Sequence, residues 1–212
     1  MISENILVDK VRLLLNEAGD DGGVSLISDD TLLLDRHIRG LLPEAVLFVQ
    51  MNKTQGTVNA KSTISAAMRV LPDGCAEIVL PDDYVRLVSL KLSTWSAPCS
   101  FTCLPGSRLE SLQKNRYTRA GDSSPVCVET CNDSSESVLK AYPVSDRDVA
   151  VSIEHLVYEA RYSPGEGISG DDDSLVSAVA YHCASLLCNV YGKFDAANVF
   201  MGLAVAMCSG GK

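Results

Sequence analysis

The sequence predicts an α+β protein, a helical bundle formed by the N- and C-terminal helices with an antiparallel β region inserted between them. Three observations carry this reading. Apolar residues recur at helical spacing near both ends, at Leu7, Val11, Leu14 and Leu15 and again at Val176, Val179, Ala180 and Cys183. The middle holds short runs rich in Val, Ile and Leu, such as Ala76–Leu80. Pro72-Asp73-Gly74 sits between two such runs as a turn signal. The expected division is 1–53 with 171–212 as a discontinuous bundle, and 54–170 as the inserted β-rich region.

The first helix carries the stripe Leu7, Val11, Leu14, Leu15 and Ala18, and the glycines around Asp20 and Asp21 end it. Ser28-Asp29-Asp30 supplies a cap and an acidic first turn for the second helix. Leu34, Ile38, Leu41, Leu42 and Ala45 repeat the stripe, which continues through Val46, Val49 and Met51 and fades near Lys53. Pro43 falls inside it, so the helix must kink there or a second one must begin after Gly40.

Strands are expected at Ala76–Leu80, Tyr84–Trp95, Ser124–Thr130, Val138–Tyr142 and Val149–Arg161. They amount to a domain of about five or six strands. Ser107–Tyr117 reads as a short helix or an irregular loop. The last two helices carry the stripes Val176, Val179, Ala180, Cys183, Leu186, Leu187, Val190 and Ala196, Val199, Phe200, Leu203, Met207. Tyr191-Gly192-Lys193 breaks them and folds them into a hairpin.

Composition narrows the function. The chain has 212 residues, 46% hydrophobic and 21% charged, which excludes a disordered, collagen-like or coiled-coil chain. A net charge of -9 argues against a broad basic face for nucleic acid and against attraction to an anionic membrane. It is compatible with a protein that surrounds DNA without gripping it. No secretory signal is visible, and Val199–Cys208 is too short to span a bilayer, so synthesis in a reducing cytoplasm is expected.

The eight cysteines then read as buried free thiols rather than a disulfide framework. Cys99/Cys103 and Cys127/Cys131 have the spacing C-x3-C, which is not that of a zinc turn. In a strand, Cys127 and Cys131 share a face ~13 Å apart. Gly165-Glu166-Gly167-Ile168-Ser169-Gly170 fits a dinucleotide-binding pattern. Asp171-Asp172-Asp173 stands where the anion would sit, however, and no parallel strand can follow. The acidic runs lack the spaced ligands of a calcium loop. His37, His155 and His182 are scattered, without H-E-x-x-H or G-x-S-x-G. No enzyme activity, cofactor or metal is expected. Arg108, Lys114, Arg116 and Arg119, beside Tyr117, form a local basic cluster. Against Glu166 and Asp171, Asp172 and Asp173 of a neighbouring copy, it is a candidate subunit interface.

Two parts of the chain resemble a known family. One is the run Ile78–Leu92, in which an apolar strand leads through Pro81-Asp82-Asp83-Tyr84 into a second strand carrying Arg86 and Lys91. The other is the terminal helix pair, with its Tyr191-Gly192 break and Asp195-Ala196-Ala197 opening the last helix. Both resemble head-to-tail adaptor (connector ring) proteins of tailed bacteriophages, particularly short-tailed and crAss-like ones. The resemblance implies a structural virion protein, made in the host cytoplasm and placed in the neck. Its copies would form a ring of about twelve subunits beneath the portal, joining capsid to tail, with heterologous contacts between neighbours. Further tail or ring proteins would follow. DNA would pass through the lumen during ejection without specific binding, and an acidic surface suits that passage. Phe200, Leu203 and Met207 on the last helix are candidate portal contacts. Two other classes fit the same residues, a small soluble protein-binding module and a cysteine- or metal-dependent enzyme.

Overall fold

The computed structural model describes residues 2–17, 31–115, 117–132, 134–144, 150–169 and 173–210. The fold is α+β, and the chain divides into two compact units, Met1–Ala60 with Arg161–Lys212, and Lys61–Ala160. The segments 54–60 and 161–169 thus go with the helices rather than with the β region.

The first unit is built from α1 (Glu4–Glu17), α2 (Thr31–Asn52), α4 (Asp173–Val190) and α5 (Phe194–Cys208). The expected stripe of α1 is buried at Leu7, Val11 and Leu15, while Ala18 lies outside the described residues. In α2, Ile38, Leu42, Ala45, Val46 and Val49 are fully buried. Pro43 sits within α2, which is one helix, so of the two expected alternatives a second start after Gly40 does not occur. Proline cannot donate to the Arg39 carbonyl, and packing of the flanking residues carries the helix past that loss.

The expected single stripe of α4 is corrected. Leu175, Ala178, Ala184 and Cys188 are buried along with Val176, Val179, Ala180, Cys183 and Leu187, whereas Val190 is exposed. The cause is position, because α4 touches α1, α2 and α5, so nearly its whole circumference is covered. The stripe of α5 is corrected too. Its buried line is Ala197, Phe200, Ala204 and Cys208, and Val199 and Leu203 face outward.

The second unit holds eight strands among the described residues, more than expected, in two sheets. They are β1 (Ala60–Thr63), β2 (Met68–Leu71), β3 (Cys75–Val79), β4 (Tyr84–Leu92), β5 (Thr102–Cys103), β6 (Val126–Cys131), β7 (Ser137–Tyr142) and β8 (Ile153–Ala160). The three-stranded sheet runs β1-β8-β4 and the five-stranded sheet β2-β3-β7-β6-β5. Pairing is antiparallel between β2 and β3, β3 and β7, β6 and β7, and β4 and β8, and parallel at the two-residue pair of β5 with β6. β1, β2 and β5 carry too little apolar alternation to be read from sequence.

One core joins the inward residues of both sheets, Ala76, Ile78 and Leu139 from one and Leu90, Leu92 and Leu156 from the other. A smaller cluster of Cys75, Val126, Val128 and Tyr142 lies on the opposite face of the five-stranded sheet. The Pro72-Asp73-Gly74 signal is the β2–β3 turn, with Leu71 paired to Cys75. Gly74 adopts φ +78, and a side chain there would meet the Arg119 guanidinium and come within 3.3 Å of the Val144 carbonyl.

Candidate functional site

The expected basic cluster separates into residues with different work. Ser107 caps α3 (Arg108–Gln113), its Oγ accepting from the Glu110 N–H, while the Glu110 carboxylate accepts from the Gly106 N–H. Arg108 is exposed on that short helix. Lys114 is exposed 3.5 Å from Glu110, one turn back. Arg119 is not a free surface cation. Its guanidinium donates to the carbonyls of Gln113, Gly74 and Asp73 and lies 6.0 Å from the Tyr142 ring centroid. It clamps the segment after α3 onto the β2–β3 turn, so its guanidinium is engaged within the β unit. Arg116 lies outside the described residues, as do Asp171 and Asp172. Asp173 is exposed in the first turn of α4, in the helical unit, whereas the cations belong to the β unit.

The candidate portal contacts also divide. Phe200 is 8% exposed, packed in the core and stacked on Tyr181 with ring centroids 6.2 Å apart. Its side chain is thus engaged within the helical unit. Met207 packs partly against the same core. Leu203 is 40% exposed, and it is joined by residues the sequence reading placed inward or left out: Val199 at 62%, Phe194 at 64% and Val205 at 44%. Beyond Asp195, α5 carries no charged side chain. Apart from Asp195 and Asn198, the exposed face of α5 is apolar, which is not how a solvated helix is built.

The glycine loop has a structural occupant. The Glu4 carboxylate accepts from the Gly165 N–H and from the Tyr162 hydroxyl, and Arg39 pairs with its other oxygen. Ile2 and Ile168 exchange backbone hydrogen bonds beside it. The backbone N–H that a pyrophosphate would need is thus committed to a carboxylate of the same unit.

Pro81-Asp82-Asp83-Tyr84 is a corner. The Tyr84 N–H donates to the Pro81 carbonyl at 3.0 Å, Asp83 accepts from Lys61 and Tyr158, and the Tyr84 and Tyr158 rings stack with centroids 5.9 Å apart. Its residues are held by neighbours in the same unit.

The histidines do not meet thiols. His37 Nδ1 lies 3.1 Å from the Tyr191 hydroxyl, and His182 stacks on Phe48. His155 Nε2 lies 2.9 Å from Ser89 Oγ across β8 and β4. No carboxylate reaches the other nitrogen of His155 among the described residues, so the pair lacks the group that orients a catalytic base. Of the thiols, only Cys131 is exposed, and none is in a disulfide.

A groove of about 650 Å³ lies on the five-stranded sheet. Arg69, Glu77 and Lys140 form a cross-strand row along it, each in register with the next, with Arg69 Nη2 2.9 Å from Glu77 Oε1. Nothing local in the sequence marks this row, because it exists only through strand pairing.

No protein-family model matches this chain, and no curated protein matches it. Among the described residues no helix is long and apolar enough to cross a membrane.

Proposed function

We propose that this chain is a structural virion protein of a tailed phage. Its copies form a ring beneath the portal that joins the capsid to the tail and lets DNA pass through its lumen. The observation that carries the reading is the exposed apolar face of α5, with Val199, Leu203 and Phe194 turned to solvent. Such a face is stabilised when a partner covers it. The resemblance of the Ile78–Leu92 run and of the terminal helix pair to connector proteins supports the choice of partner. The net charge of -9 suits a surface along which DNA must slide. In this reading α5 docks on the portal, through Leu203 and its exposed neighbours rather than through Phe200.

Charge placed on that face tests it. Val199→Glu and Leu203→Glu are expected to keep the helical circular dichroism of the parent and to lose association with a portal encoded by the same genome. Undiminished association of both variants contradicts the reading.

A second reading, a protein-binding module, is favoured by the groove on the five-stranded sheet. Its row of Arg69, Glu77 and Lys140 offers both signs of charge to a polar partner segment. Under that reading Lys140→Glu removes binding and the α5 variants do not.

A further inference from the structure

β2 is an edge strand of the five-stranded sheet, paired on one side only, with β3. The Val79 N–H donates to the Ala67 carbonyl at 2.9 Å, and this bond sets the phase of the ladder. Bonded positions alternate in an antiparallel pair, so Arg69 and Leu71, opposite Glu77 and Cys75, turn their backbone groups toward β3. Met68 and Val70 turn theirs outward. Two donors and two acceptors thus stand in a row along the open edge. Among the described residues, none outside the sheet bonds to them.

The side chains alternate as well. Met68 packs against the core between the sheets, and Val70, on the same face, is exposed. Arg69 lies on the other face, where the groove of about 650 Å³ begins at β2 and passes Glu77 to reach Lys140. Natural sheet edges are commonly guarded by a charged side chain. Arg69 is drawn away from the edge instead, its Nη2 lying 2.9 Å from Glu77 Oε1 on β3. The cross-strand row holds two cations and one carboxylate. Glu136, the other groove carboxylate among the described residues, accepts from Asn132 Nδ2 at 2.8 Å.

An extended chain satisfies such a row of backbone groups, and the neighbouring side chains select its residues. The residue opposite Arg69 meets a guanidinium, and its two neighbours lie beside Met68 and Val70. The edge strands of this chain do not supply the match, because β1, β2, β4 and β5 contain no acidic residue. Pairing two copies of β2 about Arg69 would also oppose two guanidiniums.

We propose that β2 takes up an extended segment of a different protein as a sixth strand, with an acidic residue of the segment beside Arg69 and an apolar residue on either side of it. The inference rests on the second reading above, in which the groove binds protein, and adds the backbone edge and the chemistry of the segment.

The test titrates the full chain with the fluorescein-labelled peptide Ser-Thr-Val-Glu-Val-Thr-Ser, read by anisotropy. A net charge of -9 gives an acidic peptide no general attraction to the chain, so saturable binding reports the site. Two control peptides carry Lys in place of Glu, or N-methyl groups on both valines, whose N–H groups face β2 in the proposed pairing. Each control is expected to bind about tenfold more weakly or worse. Val70→Pro removes an outward donor and none of the β2–β3 bonds, and it is expected to weaken the Glu peptide similarly. Hydrogen exchange, resolved by fragmentation, is expected to slow about tenfold at Met68 and Val70 on binding but not at Arg69, already bonded to β3.

Equal binding of the parent and N-methylated peptides would overturn strand addition while leaving the groove as a binding surface. No saturable binding of any of the peptides would reject both. Slow exchange at Met68 and Val70 without peptide, growing with protein concentration, would place a second copy on the edge and overturn the choice of partner. The N-methylated peptide tests the bonds without altering the protein, so the result does not depend on the Val70 variant folding.

Discussion

The Tyr158 hydroxyl donates to Asp83 Oδ1 at 3.0 Å, while Lys61 Nζ holds the other carboxylate oxygen at 2.8 Å. The bond fixes the corner between β3 and β4 to β8. Burial alone would raise the Asp83 carboxyl, and the hydrogen bonds from Lys61 and Tyr158 outweigh it and hold the group below its ordinary value. A carboxyl lowered in the folded state contributes stability above its unfolded pKa, and that stability is lost as pH falls through the folded pKa. Asp83→Asn is therefore expected to cost about 1–2 kcal/mol at neutral pH and much less in acid. Urea unfolding across the acid range checks this. A cost that does not change with pH contradicts it.

Gly74 and Arg119 form one device. Gly74→Ala places a side chain at φ +78 against the guanidinium and is expected to cost about 1–3 kcal/mol. Arg119→Ala removes the guanidinium from the carbonyls of Asp73, Gly74 and Gln113, of which Gly74 keeps the Val144 N–H, and is expected to expose the α3 segment to protease. Arg108→Ala, on the exposed side of α3, is the control and leaves both readouts unchanged. Equal protection of the Arg119 variant and the control sinks the clamp.

What could be read from sequence followed local patterning. The α1 stripe was legible because polar residues such as Asp9, Lys10 and Arg12 mark its outer side. The α5 stripe was misplaced because that helix has almost no polar residues to mark an outside, so periodicity cannot choose between Ala197/Ala204 and Val199/Leu203. The α4 error has the same root, since a helix buried on several faces has no single stripe. Arg119 stood in a run of cations and read as one more, because its carbonyl partners at Asp73 and Gly74 are remote in sequence. The Arg69–Glu77–Lys140 row likewise arises only from strand pairing.

Glu4 gathers the start of α1, the glycine loop and α2 through Tyr162, Gly165 and Arg39. Its side chain is nearly buried, so its hydrogen bonds are poorly replaced by water. Glu4→Gln keeps the shape, weakens the pairing with Arg39 and is expected to cost about 2 kcal/mol. Chemical denaturation measures it, and a loss below about 0.5 kcal/mol contradicts the assignment.

His182 stacks on Phe48 with ring centroids 3.8 Å apart, and its Nδ1 is buried without a hydrogen-bond partner among the described residues. Burial lowers its pKa, partly opposed by Glu44. Above the ordinary histidine value both folded and unfolded chains are neutral there. As pH falls below it the unfolded chain takes up the proton first, and stability is lost. His182→Phe is expected to lose less stability than the parent between about pH 7.5 and about pH 5.5. Identical losses in the two proteins reject the role of His182.

The central claim is that copies of this chain assemble at a portal, and particle mass with imaging tests it most directly. The chain is measured alone and with a portal encoded by the same genome. The account predicts closed rings, or a ring added to the portal, at a mass that is a multiple of 22.7 kDa. A 22.7 kDa monomer under both conditions contradicts it.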